Sequence, residues 1–188
     1  MERLFDSLLR AQSELSRAGI DSAAVGGLAV AAWGRARATQ DVDLKVLLDR
    51  SQAQTLLNLL ASSYTLLVDQ PLSTLRSVGF IFTKDSDNTR VDFLLADLGF
   101  DREAIARAVE VEVQPGKRAR ICSAEDLVVY KLISTRARDH EDASSVVARQ
   151  RGHLDQGYVE RWLREFEQAL DDSTLVSTFH EMLRRASS

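Results

Sequence analysis

A chain of 188 residues with 45% hydrophobic and 28% charged residues has the balance of a globular protein with enough apolar side chains for a real core. Two prolines and nine glycines exclude a collagen-like or linker-rich chain, and the single cysteine, Cys122, excludes an internal disulfide. The formal net charge of −4, with a small acidic excess on both sides of Cys122, excludes a broad basic grip on nucleic acid, so any polyanion has to meet a local patch. No apolar run approaches the ~20 residues of a membrane helix, and the start, Met1-Glu2-Arg3-Leu4-Phe5-Asp6, lacks a long apolar segment; a cytoplasmic protein without membrane association is expected.

Leu4, Phe5, Leu8, Leu9 and Leu15, followed by Gly19, predict an amphipathic helix over about 2–18. A short apolar strand, Ala23-Ala24-Val25, runs into Gly26-Gly27, and Leu28 to Trp33 reads as a second helix ended near Gly34. Residues 41–47 alternate polar and apolar, the strand period. Ser51 is the expected N-cap of a helix reaching about Ala61. Strands are predicted over 64–68, 78–83 and 90–95, the last two joined as a hairpin by Asp85-Ser86-Asp87-Asn88. A helix over 101–109 and two short strands around Pro115-Gly116 follow. Ser123-Ala124-Glu125-Asp126 resembles a capping box, and from there only helices are predicted, over about 123–136, 140–150, 156–170 and 173–186. Mixed elements followed by helices alone predict an α+β (mixed α/β) core over 1–122 and a helical subdomain over 123–188 that closes one side of a cleft.

The chemistry concentrates in Val25-Gly26-Gly27, a spacer of thirteen residues, and Asp41-Val42-Asp43-Leu44. Residues two apart on a strand face the same way, with α-carbons ~6.5 Å apart. Asp41 and Asp43 therefore converge while Val42 and Leu44 enter the core. Two carboxylates held side by side repel, and a divalent cation removes that penalty; Mg²⁺ suits oxygen ligands and shares its shell with phosphates. On its own, Asp-x-Asp is more often a solvated strand. A third acid in an apolar frame, Asp92 of Val91-Asp92-Phe93-Leu94-Leu95, changes the weighing, although it has a plain alternative as a partner of Arg90. If the two strands are neighbours, three carboxylates meet, the ligand set of a two-metal site. Gly26-Gly27 before a helix lets a backbone approach a ligand closely, and the helix start attracts phosphate; Arg35 and Arg37 lie close by in sequence. His140, His153 and His180 lack the paired spacing of a zinc site.

Gly-Gly, the spacer, Asp-hydrophobic-Asp-hydrophobic and a later strand Asp resemble the signature of the DNA polymerase β-like nucleotidyltransferase superfamily. The stretch Gly34-Arg35-Ala36-Arg37-Ala38-Thr39-Gln40-Asp41-Val42-Asp43-Leu44 looks more narrowly like the AbiEii-type nucleotidyltransferases, the toxin side of type IV toxin–antitoxin pairs. Ser123 to Leu132 with its Lys131, followed by Arg136, Arg138-Asp139 and Asp142, is similar to that family's helical motif with a lysine and a later acid. The resemblance covers roughly residues 20–150. It implies Mg²⁺ or Mn²⁺ on Asp41, Asp43 and Asp92, with Asp92 also the candidate base; the triphosphate on Gly26 and Gly27; and a nucleotide contact from Lys131, one of only four lysines, while Arg37, by its place just before the acid pair, is a candidate phosphate contact read from the residues themselves. Many polymerase β-like enzymes carry Gly-Ser, whose hydroxyl touches phosphate; this chain, with Gly-Gly, has only backbone N–H groups to offer there.

The reaction so implied moves a nucleoside monophosphate from an NTP to RNA, such as a tRNA end, or to a protein side chain, with release of pyrophosphate. A cognate antitoxin is the implied partner. The competing expectations are a catalytically inactive fold serving as a nucleotide sensor, and an antitoxin-like protein-interaction partner with the terminal helices as its interface.

Overall fold

A computed structural model describes residues 1–187 of the chain. The chain divides into two compact units, one of Met1–Leu28 and Ala38–Cys122, the other of Ala29–Arg37 and the residues from Ser123 on.

The first unit carries the sheet. Helix α1 (Glu2–Arg17) buries Leu4, Leu8, Ala11 and Leu15. Strand β1 (Ser22–Ala24) leads into helix α2 (Gly26–Trp33), and strand β2 is Asp41–Val46. A single 3-10 turn (Arg50–Gln52) opens helix α3 (Ala53–Leu60); strand β3 (Thr65–Leu66), helix α4 (Pro71–Val78) and the hairpin of β4 (Phe80–Lys84) and β5 (Arg90–Leu95) follow. Helix α5 (Gly99–Ala106) precedes a second hairpin, β6 (Val109–Gln114) and β7 (Lys117–Ile121). The seven strands form one mixed sheet in the order β3-β4-β5-β2-β1-β7-β6. Strand β1 runs antiparallel to β2 and parallel to β7, and β2 runs parallel to β5. The mixed α/β fold expected from the sequence is the one that forms.

Period-two alternation decides which side chains the sheet buries. On β2, Val42, Leu44 and Val46 are fully buried while Asp41, Asp43 and Lys45 are partly exposed. Lys45 is held by Asp101 of α5 at 2.7 Å. On β5, Val91 and Phe93 are fully buried, and Phe93 meets Tyr64 edge-to-face at 5.2 Å between ring centroids.

Helix α4 is absent from the sequence reading, and it shortens the expected strand at 78–83 to one beginning at Phe80. Its ends explain it. Pro71 sits at the start, where its fixed φ suits a helix and its missing N–H costs nothing. Gly79 ends it in the left-handed region at φ 78°, its N–H bonding Leu75 O at 3.0 Å. The cap before α3 also differs: Asp49 accepts from the Ser51 N–H at 2.8 Å, so Ser51 is inside the turn it was expected to cap.

The second unit holds the remaining helices: α6 (Ala124–Leu132), α7 (Ala137–Arg149), α8 (Gln156–Leu170) and α9 (Leu175–Ser187). Ser123 caps α6 by accepting from the Asp126 N–H at 3.1 Å, and Asp126, fully buried, also receives the Tyr158 hydroxyl of α8 at 2.6 Å. The end of α2 is stitched to α7: Arg149 donates to Gly34 O at 2.7 Å, Gln150 to Trp33 O at 3.0 Å, and the Arg35 N–H to Ser145 Oγ at 3.1 Å. Among the described residues no helix is long and apolar enough to cross a membrane.

Replacing Gly79 by alanine forces a β-carbon into a left-handed conformation and within 3.1 Å of an Asp97 carboxylate oxygen. A loss of about 1–2 kcal/mol is expected, read as a lower urea midpoint at unchanged m-value. Val78→Ala, on an exposed neighbour, should stay within about 0.5 kcal/mol.

Candidate active site

In the first unit the parallel pairing of β2 with β5 sets Asp43 opposite Asp92 and Asp41 opposite Arg90. Residues in register across a sheet share a face, so the three acids and the arginine form a square of side chains. One carboxylate oxygen from each of Asp41, Asp43 and Asp92 lies within 4.8 Å of the others. Asp41 and Asp43 are partly exposed; Asp92 is buried, with 4% of its surface accessible.

The two glycines at the start of α2 frame this cluster, for a reason internal to the protein. Gly26 has φ 61°, and a β-carbon there would sit 2.7 Å from Asp43 Cγ and collide with its carboxylate. At Gly27 a β-carbon would lie 2.8 Å from Thr39 Cβ and strike the Thr39 hydroxyl. The absent side chains are thus the space that Asp43 and Thr39 occupy. Thr39 in turn donates its hydroxyl to Asp41 Oδ1 at 3.0 Å. A hydroxyl therefore does stand beside Gly27, supplied by Thr39. Sequence reasoning missed it; its position two before Asp41, on the same side of an extended chain, was the available signal.

Arg90 stands against Asp92. Its Nε is 2.9 and 3.0 Å from the two carboxylate oxygens, its Nη2 is 2.9 Å from Oδ2, and its guanidinium lies over the Phe82 ring, 4.3 Å from the centroid. Burial pushes the Asp92 carboxyl up from its ordinary range, against the hydrogen bond and charge of Arg90, and the Asp41 charge adds to the rise. Both sequence alternatives for Asp92 hold at once: it belongs to the acidic cluster, and it pairs with Arg90.

Arg37 and Lys131, also singled out in the sequence, lie together in the second unit. Lys131 is buried, its Nζ 2.6 Å from Asp139 Oδ1 and 3.0 Å from Asp142 Oδ2. Arg37 grips Asp142 with two prongs, Nε to Oδ1 and Nη2 to Oδ2, both 2.9 Å. Ser134 and Arg136 donate to Asp139 at 2.7 and 2.6 Å. Burial opposes ionisation of both acids, but the bonds from Lys131 and Ser134 to Asp139, and from Arg37 and Lys131 to Asp142, outweigh it and hold both carboxyls below the usual range.

Three converging carboxylates are an all-oxygen donor set, which fits Mg²⁺ or Mn²⁺ better than a transition metal that prefers nitrogen or sulfur. The site so built is a strand carrying paired acids, a third acid in register on the next strand, and a helix opened by two glycines. Residues 4–177 match the family described as "Nucleotidyl transferase of unknown function (DUF2204)", and the chain belongs to it. No curated protein matches. Solved structures share the fold at low identity. ANT(2")-Ia in complex with adenylyl-2"-tobramycin is 16% identical with TM-score 0.55, over 90% of this chain and 99% of that one. An antigenic nucleotidyltransferase-like protein from Paracoccidioides brasiliensis is 15% identical with TM-score 0.54, over 94% and 93%. The lincosamide antibiotic adenylyltransferase LnuA, lincomycin-bound, is 14% identical with TM-score 0.52, over 78% and 96%. The matched family supports the nucleotidyltransferase part of the sequence resemblance, and the solved structures support its fold.

Removing Lys131 leaves two buried acids without their shared cation. Lys131→Met is expected to cost roughly 3–5 kcal/mol in urea unfolding. Because the Asp139 and Asp142 carboxyls are depressed in the folded protein, their stabilisation is complete above the ordinary carboxylate pKa of about 4 and is lost as pH falls below it. Asp142→Asn should accordingly flatten the acid limb of a stability-versus-pH curve.

Proposed function

We propose that the chain transfers a nucleoside monophosphate from an NTP to a hydroxyl acceptor, with Asp41, Asp43 and Asp92 holding Mg²⁺ or Mn²⁺. The observation that carries this reading is the meeting of three carboxylates from two paired strands beside the start of α2. The bound ion would supply charge neutralisation on the phosphates and a lowered pKa at the attacking hydroxyl.

The chain's own residues divide the remaining work. Asp92, the buried carboxylate of the three, takes the proton of the acceptor hydroxyl as pyrophosphate leaves. Thr39 fixes one oxygen of Asp41, so that carboxylate keeps a set orientation. The first-turn N–H groups of α2, which a helix leaves without intrahelical partners, form the positive end of its dipole, which suits a triphosphate near Gly26 and Gly27. Catalysis then comes mainly from positioning and electrostatics, as in phosphoryl transfer generally. The assignment of Lys131 to the nucleotide rests on the resemblance to the AbiEii-type enzymes and that of Arg37 on its place just before the acid pair; a phosphate that uses them has to draw them from Asp139 and Asp142.

That same resemblance makes RNA, such as a tRNA end, the acceptor we favour, ahead of a protein side chain, and a cognate antitoxin the partner. The test is incubation with each α-labelled NTP, Mg²⁺ or Mn²⁺, and an extract fractionated afterwards. Label in RNA is expected, falling at least ~10²-fold in Asp43→Asn and ~10²–10⁴-fold in Asp92→Asn. Label in protein or in a small-molecule fraction reassigns the acceptor. NTP binding without label in any fraction overturns the transfer in favour of a nucleotide sensor. Growth arrest on expression, relieved by Asp41→Ala, is the expected sign of a toxin; its absence removes the toxin role while leaving the chemistry.

A further inference from the structure

We propose that Arg90 is a built-in counter-ion that occupies Asp92 until a divalent cation displaces it, a role that rests on the metal site proposed above. Asp92 is the one member of the acidic cluster that is buried, and both its oxygens already accept from a guanidinium. Those are the atoms that would ligate an ion. A cation arriving between Asp41, Asp43 and Asp92 meets a like charge over one of its three ligands, and the two compete for the same lone pairs.

The surroundings favour exchange over a fixed bridge. The Arg90 side chain is 41% exposed, so it has room to leave, whereas Asp92 is fixed within the sheet. Phe82, directly across from Asp92 on β4, gives the guanidinium a ring to rest on that makes no demand on the carboxylate. The next cation along the same face of β2, Lys45, is anchored to the buried Asp101, so it does not share the task. Arg90 thus neutralises part of the carboxylate repulsion before metal arrives, at the cost of weaker metal binding. The acids act on it collectively: the Asp92 hydrogen bond first, then the charges of Asp92, Asp41 and Asp43, favour its charged form.

The probe is Mn²⁺ alone, titrated into the 188-residue chain and followed by the electron paramagnetic resonance of the free ion, without nucleotide or turnover. Arg90→Gln is expected to bind Mn²⁺ about tenfold more tightly than wild type, a change of roughly 1.4 kcal/mol. Its metal-free melting temperature should fall, and saturating Mn²⁺ should restore it. Arg90→Lys, which keeps the charge without the two-pronged grip, should lie between. Equal or weaker Mn²⁺ binding by Arg90→Gln while wild type binds overturns the displacement and leaves the metal site standing; a wild type that binds no Mn²⁺ overturns both. If the variants fail to fold, ¹⁵N resonances of the Arg90 guanidinium in wild type decide: they should shift as Mg²⁺ is added, and resonances unmoved at saturating Mg²⁺ refute the exchange.

Discussion

The parallel, in-register pairing of β2 with β5 is the constraint on which the rest of the site depends. It sets Asp43 beside Asp92 and Asp41 beside Arg90, and it does so because the apolar residues between them, Val42, Leu44, Val91 and Phe93, are buried. A slip of one residue would turn the acids toward the core, and a slip of two would move Asp92 by ~6.6 Å along the strand and open the cluster. The hydrophobic effect thus sets the register, and the register concentrates the charge. The like charges so gathered repel, and the repulsion has to be met by a cation.

Space is managed as closely as charge. Gly26 and Gly27 lack side chains where Asp43 and Thr39 need room, so the glycine pair serves the protein's own packing before it serves a ligand. Thr39 then links two parts of the site, lying against Gly27 on one side and donating to Asp41 on the other. The hydroxyl absent from the glycine pair is supplied from elsewhere in the chain.

The second unit handles charge differently. Lys131, Arg37, Asp139 and Asp142 interlock with little exposure of the acids and the lysine, so each charge is matched by another. Such networks contribute little net stability compared with apolar packing, but breaking one leaves an uncompensated buried charge. At Asp92 the pairing cation is well exposed, which makes it exchangeable; at Lys131 the cation is enclosed.

The sequence by itself determined the local elements and the face of each strand. Alternation over 41–46 and 90–95, the Asp85–Asn88 turn and the helical spacing of the last third are near-neighbour properties, and they carried the mixed fold and the three acids. It missed α4, whose signal was only a proline and a glycine eight residues apart, weak beside its apolar neighbours. Tertiary structure alone decided who stands beside whom: Asp43 opposite Asp92, Thr39 at Gly27, Asp142 between Arg37 and Lys131. Those contacts join residues brought together by strand register and helix packing, over separations as long as 105 residues, and no local pattern encodes them.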